Sequence, residues 1–224
     1  MTTKDALAAR IADDLARSDL TTQIGNAIDD AIEHWKTTRF HFNETRAVTF
    51  TSVASQSIYT SSDSASIPLM FDVDTLYVTE SGGTPELVGP NGKKQDFDHV
   101  HDLILTGGGT GKPYMWAWFD RSIYVYPVPD STSYTFRLTG AIEKAVPASG
   151  SEADNVWMTE AFALLRAHAK GLLYLHVIHN MEKAAMMLGP RLDARGGAAG
   201  AEYRKLRREA TDKRGLGIIS PSVF

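Results

Sequence analysis

Gly107-Gly108-Gly109-Thr110-Gly111-Lys112 is the stretch that most invites a chemical reading, because glycine-rich loops ending in lysine cradle phosphates. The spacing does not support one. Lys112 is followed by Pro113, where a phosphate loop needs Ser or Thr for magnesium, and then by strand-forming residues where it needs a helix. The first glycine position of that pattern falls on Thr106. The stretch reads as a hairpin or loop linker. Asp96-Phe97-Asp98-His99-Val100-His101-Asp102 sets two histidines at strand spacing, which would share one face, and two imidazoles with a carboxylate could hold a divalent metal. A third ligand at a convincing position is missing, so polar surface or subunit contact is the favoured reading. His176 and His179 lie three apart on a long apolar helix, with His168 two turns earlier, but no H-E-x-x-H pattern exists. They read as structural histidines at a helix–helix or subunit boundary.

Catalytic patterns are equally thin. There is no G-x-S-x-G elbow, and the serines at 52–66 read as loop or strand-edge residues. A carboxylate pair for glycoside hydrolysis could be drawn from 27 acids, yet none has a distinctive setting. The absence of cysteine excludes disulfides, zinc–thiolate sites and thiol nucleophiles, and suits synthesis in a reducing cytoplasm. Tyr114, Trp116, Trp118, Phe119, Tyr124 and Tyr126 could stack on bases, but alternation across a hairpin turns half of them inward as core, and few Lys or Arg lie nearby. Neither a catalytic site, a cofactor nor a metal is expected.

The elements around these residues fall into three zones. From about 4 to 40, Leu7, Ile11 and Leu15 recur every four residues; after a break at 18–22, Ile24, Ile28, Ile32 and Trp35 continue the pattern. This predicts two amphipathic helices, the second capped by Thr21 or Thr22. From about 45 to 145, β-type runs appear at 47–51, 57–60, 73–80, 114–119, 122–126 and 134–142, with Asp120-Arg121 as a tight hairpin turn. This is a compact antiparallel domain, a small sandwich or a distorted barrel. A more apolar helix is expected from Glu152 to about Met181, with Ser151 or Asp154 as its cap. Gly189-Pro190 breaks it, and Gly196-Gly197-Ala198-Ala199-Gly200 reads as a flexible or exposed connection to a basic helix from Ala201 to about Arg214.

Size and charge set the outer limits. The 224 residues, 43% hydrophobic and 22% charged, suit one large domain or one domain with a sizeable insertion. Asp5, Asp13 and Asp14 interrupt any apolar signal segment, and no window is apolar enough to span a membrane. Net charge is −4, so the chain as a whole is no basic nucleic-acid binder. Acids concentrate in 5–33 and bases in 183–214, which allows identical subunits to meet head to tail, or simply marks two solvated helix faces. The last residues, GLGIISPSVF, carry no charged side chain. They read as an extended docking segment or as a tail folded back onto its own bundle.

The order of these segments resembles a known family. Trp35 with Phe40-His41-Phe42-Asn43-Glu44 precedes a sheet domain containing Gly111-Lys112-Pro113-Tyr114 and Ile123-Tyr124-Val125-Tyr126-Pro127-Val128-Pro129-Asp130; Asn155-Val156-Trp157 then opens the C-terminal helices. Through about residue 185 this is similar to the head–tail connector (adaptor) proteins of tailed bacteriophages. The glycine-rich segment 189–200 departs from the pattern. The resemblance implies an α+β fold: a helical bundle built from 1–44 and 149–214, an inserted antiparallel β domain at 45–148, and an extended apolar docking tail at 215–224. It implies a structural, non-enzymatic virion protein in the neck between capsid and tail, synthesised in the host cytoplasm. About twelve copies would form a homo-oligomeric ring, a dodecamer, between the portal protein and a nozzle, stopper or tail-tube protein, with no membrane partner. Portal docking would fall to Arg204, Arg207, Arg208, Arg214, Leu216, Ile218, Ile219, Val223 and Phe224. Such a ring would carry on the order of −48 charges and let viral double-stranded DNA pass non-specifically. The alternatives are another tail-completion or stopper protein, a tail-associated peptidoglycan hydrolase, or a carbohydrate-binding module.

Overall fold

The computed structural model describes residues 2–64 and 66–213. The chain is α+β, and among the described residues it forms seven α-helices and seven strands. It divides into two compact units: Asn43–Glu143 is one, and the segments on either side of it form the other.

In the helical unit, α1 (Lys4–Leu15) begins where the Thr3 hydroxyl accepts from Ala6 N–H at 3.1 Å. It stops at Ala16, whose left-handed φ of 51° turns the chain. Leu7 and Ile11 are fully buried. In α2 (Thr21–Trp35) the four-residue stripe Ile24, Ile28, Ile32 and Trp35 is buried as its spacing predicts, and Ala27 and Ala31 join it. Neither Thr21 nor Thr22 caps this helix; Leu20 holds the cap position without a side-chain hydrogen bond.

The helix expected over 152–181 is broken into pieces: α4 (Val156–Glu160), α5 (Phe162–His176) and α6 (Met181–Leu188). The cap of α4 is Asn155, not Ser151 or Asp154; its side chain accepts from Trp157 N–H at 3.1 Å. His179 adopts a left-handed φ of 55°, and the Asn180 side chain then caps α6 by accepting from Lys183 N–H. Gly189, with φ of 89°, ends α6 where the Gly-Pro pair predicts a stop. The glycine-rich stretch after it is not a linker. Gly197 opens α7 (Gly197–Lys213), and Ala199 and Gly200 are buried in its first turns. A Cβ on Gly200 would stand 2.1 Å from the Arg195 carbonyl oxygen, so only glycine fits there.

α5 is the hub, packing against α2, α6 and α7. The resemblance motifs at 35–42 and 155–157 meet in this core. Phe40 stacks on Phe42 (5.2 Å between centroids), and both rings stand edge-on to Trp157. Trp157 is fully buried and donates from Nε1 to the Lys144 carbonyl. The Asn-x-Trp motif is thus a helix cap followed by a core anchor.

In the other unit, β1 (Glu44–Thr51), β7 (Tyr134–Ile142), β3 (Met70–Glu80) and β4 (Glu86–Leu87) form one antiparallel sheet in the order β1-β7-β3-β4. β2 (Ile58–Tyr59), β6 (Ser122–Tyr126) and β5 (Met115–Phe119) form a second, in the order β2-β6-β5. Side chains of both sheets share one core, including Phe50, Val73, Phe136, Tyr59, Trp116 and Val125, and the sheets do not close into a barrel. Asp120 and Arg121, with φ of 45° and 57°, make the two-residue hairpin between β5 and β6. β3 carries the extra residues where its register with β7 shifts, and close by a Cβ on Gly140 would meet the Asp72 carbonyl oxygen at 2.3 Å.

The strand reading of the two histidines is overturned. Residues Phe97–Thr106 form a helix, α3, capped by the Asp96 side chain accepting from His99 N–H at 3.3 Å. α3 packs on β5 and β6, over a small core of Val100, Ala117 and Tyr126. The hairpin is therefore covered on both faces: Trp116 and Trp118 meet the shared core, while Ala117, Tyr124 and Tyr126 lie under α3. Among the described residues no helix is long and apolar enough to cross a membrane.

Candidate docking surface

α7 is amphipathic with a sharp division of labour. Leu206 and Ala210, four residues apart, are buried, and Tyr203 lies flat on Trp35 at 5.0 Å between ring centroids. That inner face fixes the helix's rotation and turns Arg204, Lys205, Arg207 and Arg208 outward, where all four are exposed. Arg204 donates to the Arg195 carbonyl and Arg207 to the Arg39 carbonyl, both at 3.2 Å. None of the four has a carboxylate partner among the described residues. Tyr203, Arg204, Arg207, Arg208 and Thr211 line an open hollow of about 370 Å³.

Several other cations of the unit are paired with carboxylates. Lys4 pairs with Asp29 at 2.7 Å, and Arg166 and Lys170 converge on Asp14 at 2.8 and 3.0 Å. The Asp14 carboxyl is held at about 2, chiefly by its hydrogen bond from Arg166, with Lys170 adding and burial opposing. Guanidinium groups offer planar forks that match carboxylates in pairs. A face of three arginines and a lysine without intramolecular carboxylates is therefore equipped to take acidic side chains from another protein.

Of the predicted docking residues, the structure brings Arg204, Arg207 and Arg208 onto this single face. Arg214, Leu216, Ile218, Ile219, Val223 and Phe224 lie outside the described residues. Sequence reasoning missed Tyr203, which sets the helix's orientation; its spacing of three and seven to Leu206 and Ala210 is the signal that could have found it.

The other chemical candidates resolve into structural roles. Lys112 of the glycine-rich loop is tied to Glu86 at 2.6 Å, and β5 follows it. In helical geometry His99 and His101 lie on opposite sides of α3; His101 stacks on Phe97 at 5.2 Å. Among the described residues no three His, Asp or Glu side chains could hold a metal ion. His168 is buried, and its Nδ1 accepts from Trp35 Nε1 at 2.9 Å. Burial first, then the neighbouring His34, push its pKa down to about 4, so it stays neutral. His176 ends α5, and His179 stands outside any helix.

Residues 1–218 match the family model described as SU10 adaptor protein. The match covers nearly the whole chain, and the chain belongs to this bacteriophage adaptor family. No curated protein matches it.

Proposed function

We propose that this member of the SU10 adaptor family is a structural, non-catalytic subunit of the virion neck, and that about twelve copies close a ring between portal and nozzle, stopper or tail tube. The observation that carries the reading is the family match over residues 1–218. A ring beneath a portal must grip one protein above and another below while leaving viral double-stranded DNA free to pass. Arg204, Arg207 and Arg208 form the portal grip: their guanidinium groups meet portal carboxylates and set the register, as charges at an interface's rim do.

A tagged chain recovered from lysate of phage-producing cells, followed by mass spectrometry and electron microscopy, tests this directly. Portal protein and ring-shaped complexes are expected. Charge reversal at Arg204→Glu, Arg207→Glu and Arg208→Glu should abolish portal recovery while circular dichroism and elution volume stay as in the parent. Recovery of no virion protein at low salt would overturn the reading. Portal binding that survives the reversal would move the grip off α7.

A further inference from the structure

The sheet unit has two outer sides, and their chemistry is complementary. One side is the outer face of β1, β7 and β3. Phe50, Phe136, Leu138, Leu76 and Val78 fill the shared core, so by strand alternation the residues between them face out. Register sets Thr49, Arg137 and Tyr77 in one row across the three strands, with Thr135, Thr139 and Thr75 flanking it. The Thr75 and Thr139 hydroxyls satisfy each other at 2.6 Å. Arg137 is less well served. Its guanidinium lies over the Tyr77 ring at 4.2 Å, its Nε is buried without a hydrogen-bond partner, and no carboxylate pairs with it among the described residues. The ring orients the guanidinium but supplies no oxygen for its N–H groups. A planar cation held in this way among threonines is equipped to take a carboxylate from another molecule.

The opposite side of the unit is covered by α3, which packs on the second sheet. Val100 and Ile104 turn toward the hairpin; Asp98, Asp102 and Leu105, at steps of four and three, form a stripe turned away from it. All three are exposed, Leu105 by 68%, and neither carboxylate has a basic partner among the described residues. A leucine beside two unpaired aspartates is the counterpart of an unpaired arginine among threonine methyl groups. The two surfaces lie on opposite sides of one unit, so they cannot meet within one chain.

We propose that α3 of one copy packs on the outer face of β1, β7 and β3 of the next, with Asp98 and Asp102 in reach of Arg137 and Leu105 seated on Tyr77 and the threonine methyls. The 10 residues of α3 span about 15 Å, and three strands are about 10 Å across, so the stripe fits the face. This rests on the ring reading and assigns the surfaces that join neighbours. Donor and acceptor surfaces differ, so the contact is heterologous and repeats from copy to copy until the ring closes. Charge favours a second copy over DNA as the occupant. The unit holds 12 Asp and Glu against six Lys and Arg, so a duplex approaching Arg137 meets a surplus of acids.

A charge swap in the full chain tests the pairing. One batch carries Arg137→Asp, another Asp98→Lys together with Asp102→Lys. Each alone sets like charges against each other at every joint. Each should raise the concentration needed for assembly about tenfold or more, read by sedimentation velocity and by the copies found on portal recovered from lysate. An equal mixture, with the two chains alternating, restores opposite charges at every joint and should assemble as the parent does. That restoration excludes misfolding as the cause of either loss. Arg137→Gln, which removes the charge without reversing it, should give a smaller loss. Variants that assemble as the parent does, or a mixture no better than its parts, overturn the proposal. So does a loss of duplex-DNA retention in Arg137→Asp with assembly intact, which would assign the face to phosphate. Portal-bound rings formed equally by both variants end this inference and leave the ring reading standing, whereas a parent chain that neither assembles nor recovers portal counts against both.

Discussion

His168 makes the helical unit sensitive to acid over a defined range, and the size of the effect follows from its surroundings. The imidazole is 4% exposed, its Nδ1 lone pair is occupied by the Trp35 Nε1–H, and the His34 ring stands edge-on at 4.8 Å. A proton on Nδ1 would break the Trp35 bond and place a charge in the core. Burial, and secondarily His34, therefore lower the pKa from 6.5 to about 4. The unfolded chain binds the proton first. Stability is thus whole above pH 6.5, declines as pH falls, and the loss is complete below about pH 4. At about 1.4 kcal/mol per pH unit, that window is worth about 3 kcal/mol. His34 contributes in the same sense: burial first, then Arg195, lower its pKa, with Asp193 opposing. The perturbation is His168→Gln, whose carbonyl oxygen can still accept from Trp35 but cannot titrate. Urea midpoints measured from neutral pH down to pH 4 should fall steeply for the parent and much less for the variant. Parallel curves would refute the assignment of the acid sensitivity to His168.

Three further substitutions read out other contacts. Asp14→Asn should cost about 1 kcal/mol, as expected for a partly screened ion pair with Arg166 and Lys170. Because its pKa is lowered to about 2, that contribution is present above 3.8 and fades as pH falls toward 2, so the variant's acid limb should be flatter there. Gly25→Ala should raise the melting temperature, gaining up to about 1 kcal/mol, since Gly25 lies inside α2 and an added Cβ meets nothing within 4 Å. Gly171→Ala should lower it. There the Cβ would fall 2.4 Å from the Leu188 side chain across the α5–α6 contact, and overpacking of about 1–3 kcal/mol exceeds the helix gain. Shifts of the same sign in both glycine variants would show that packing does not decide between them.

Much of the scaffold was legible because one period ruled each segment. The step of four in α1 and α2 placed Leu7, Ile11, Ile24, Ile28 and Ile32 in the core, and Asp120-Arg121 between two aromatic runs identified the hairpin. The failures came where two signals competed. His99 and His101 stand two apart as on a strand, but Asp96 supplies a helix cap and Phe97, Val100, Leu103 and Ile104 recur at helical steps, packing α3 onto the hairpin. Apolar residues continue through 156–178 without pause, so the breaks at Ala161 and His179, set by backbone dihedrals and by the Asn180 cap, left no trace in the periodicity. Glycines at 196, 197 and 200 read as a linker because close packing and flexibility use the same residue. Of the candidate docking face, the arginines were visible in the sequence, but their common orientation depended on Tyr203 stacking on Trp35.

The distribution of charge favours a protein partner for that face over DNA. The Asn43–Glu143 unit holds 12 Asp and Glu against six Lys and Arg, whereas the helical unit is close to balanced, with 15 against 17. Four of its exposed cations, Arg204, Lys205, Arg207 and Arg208, stand together on α7. A DNA conduit must not retain its cargo, and each lysine or arginine that meets a phosphate adds a salt-dependent increment of affinity. In the proposed ring, Arg204, Lys205, Arg207 and Arg208 turned toward the lumen would be multiplied from copy to copy into a belt that grips the duplex. Turned toward the portal, the same residues convert that charge into register against a protein surface, and the walls are left to the acidic surfaces. The two placements separate experimentally. Charge reversal on α7 should cut portal recovery sharply and leave the weak binding of free duplex DNA by the purified protein unchanged. A large drop in DNA binding with portal recovery intact would place the arginines in the lumen instead.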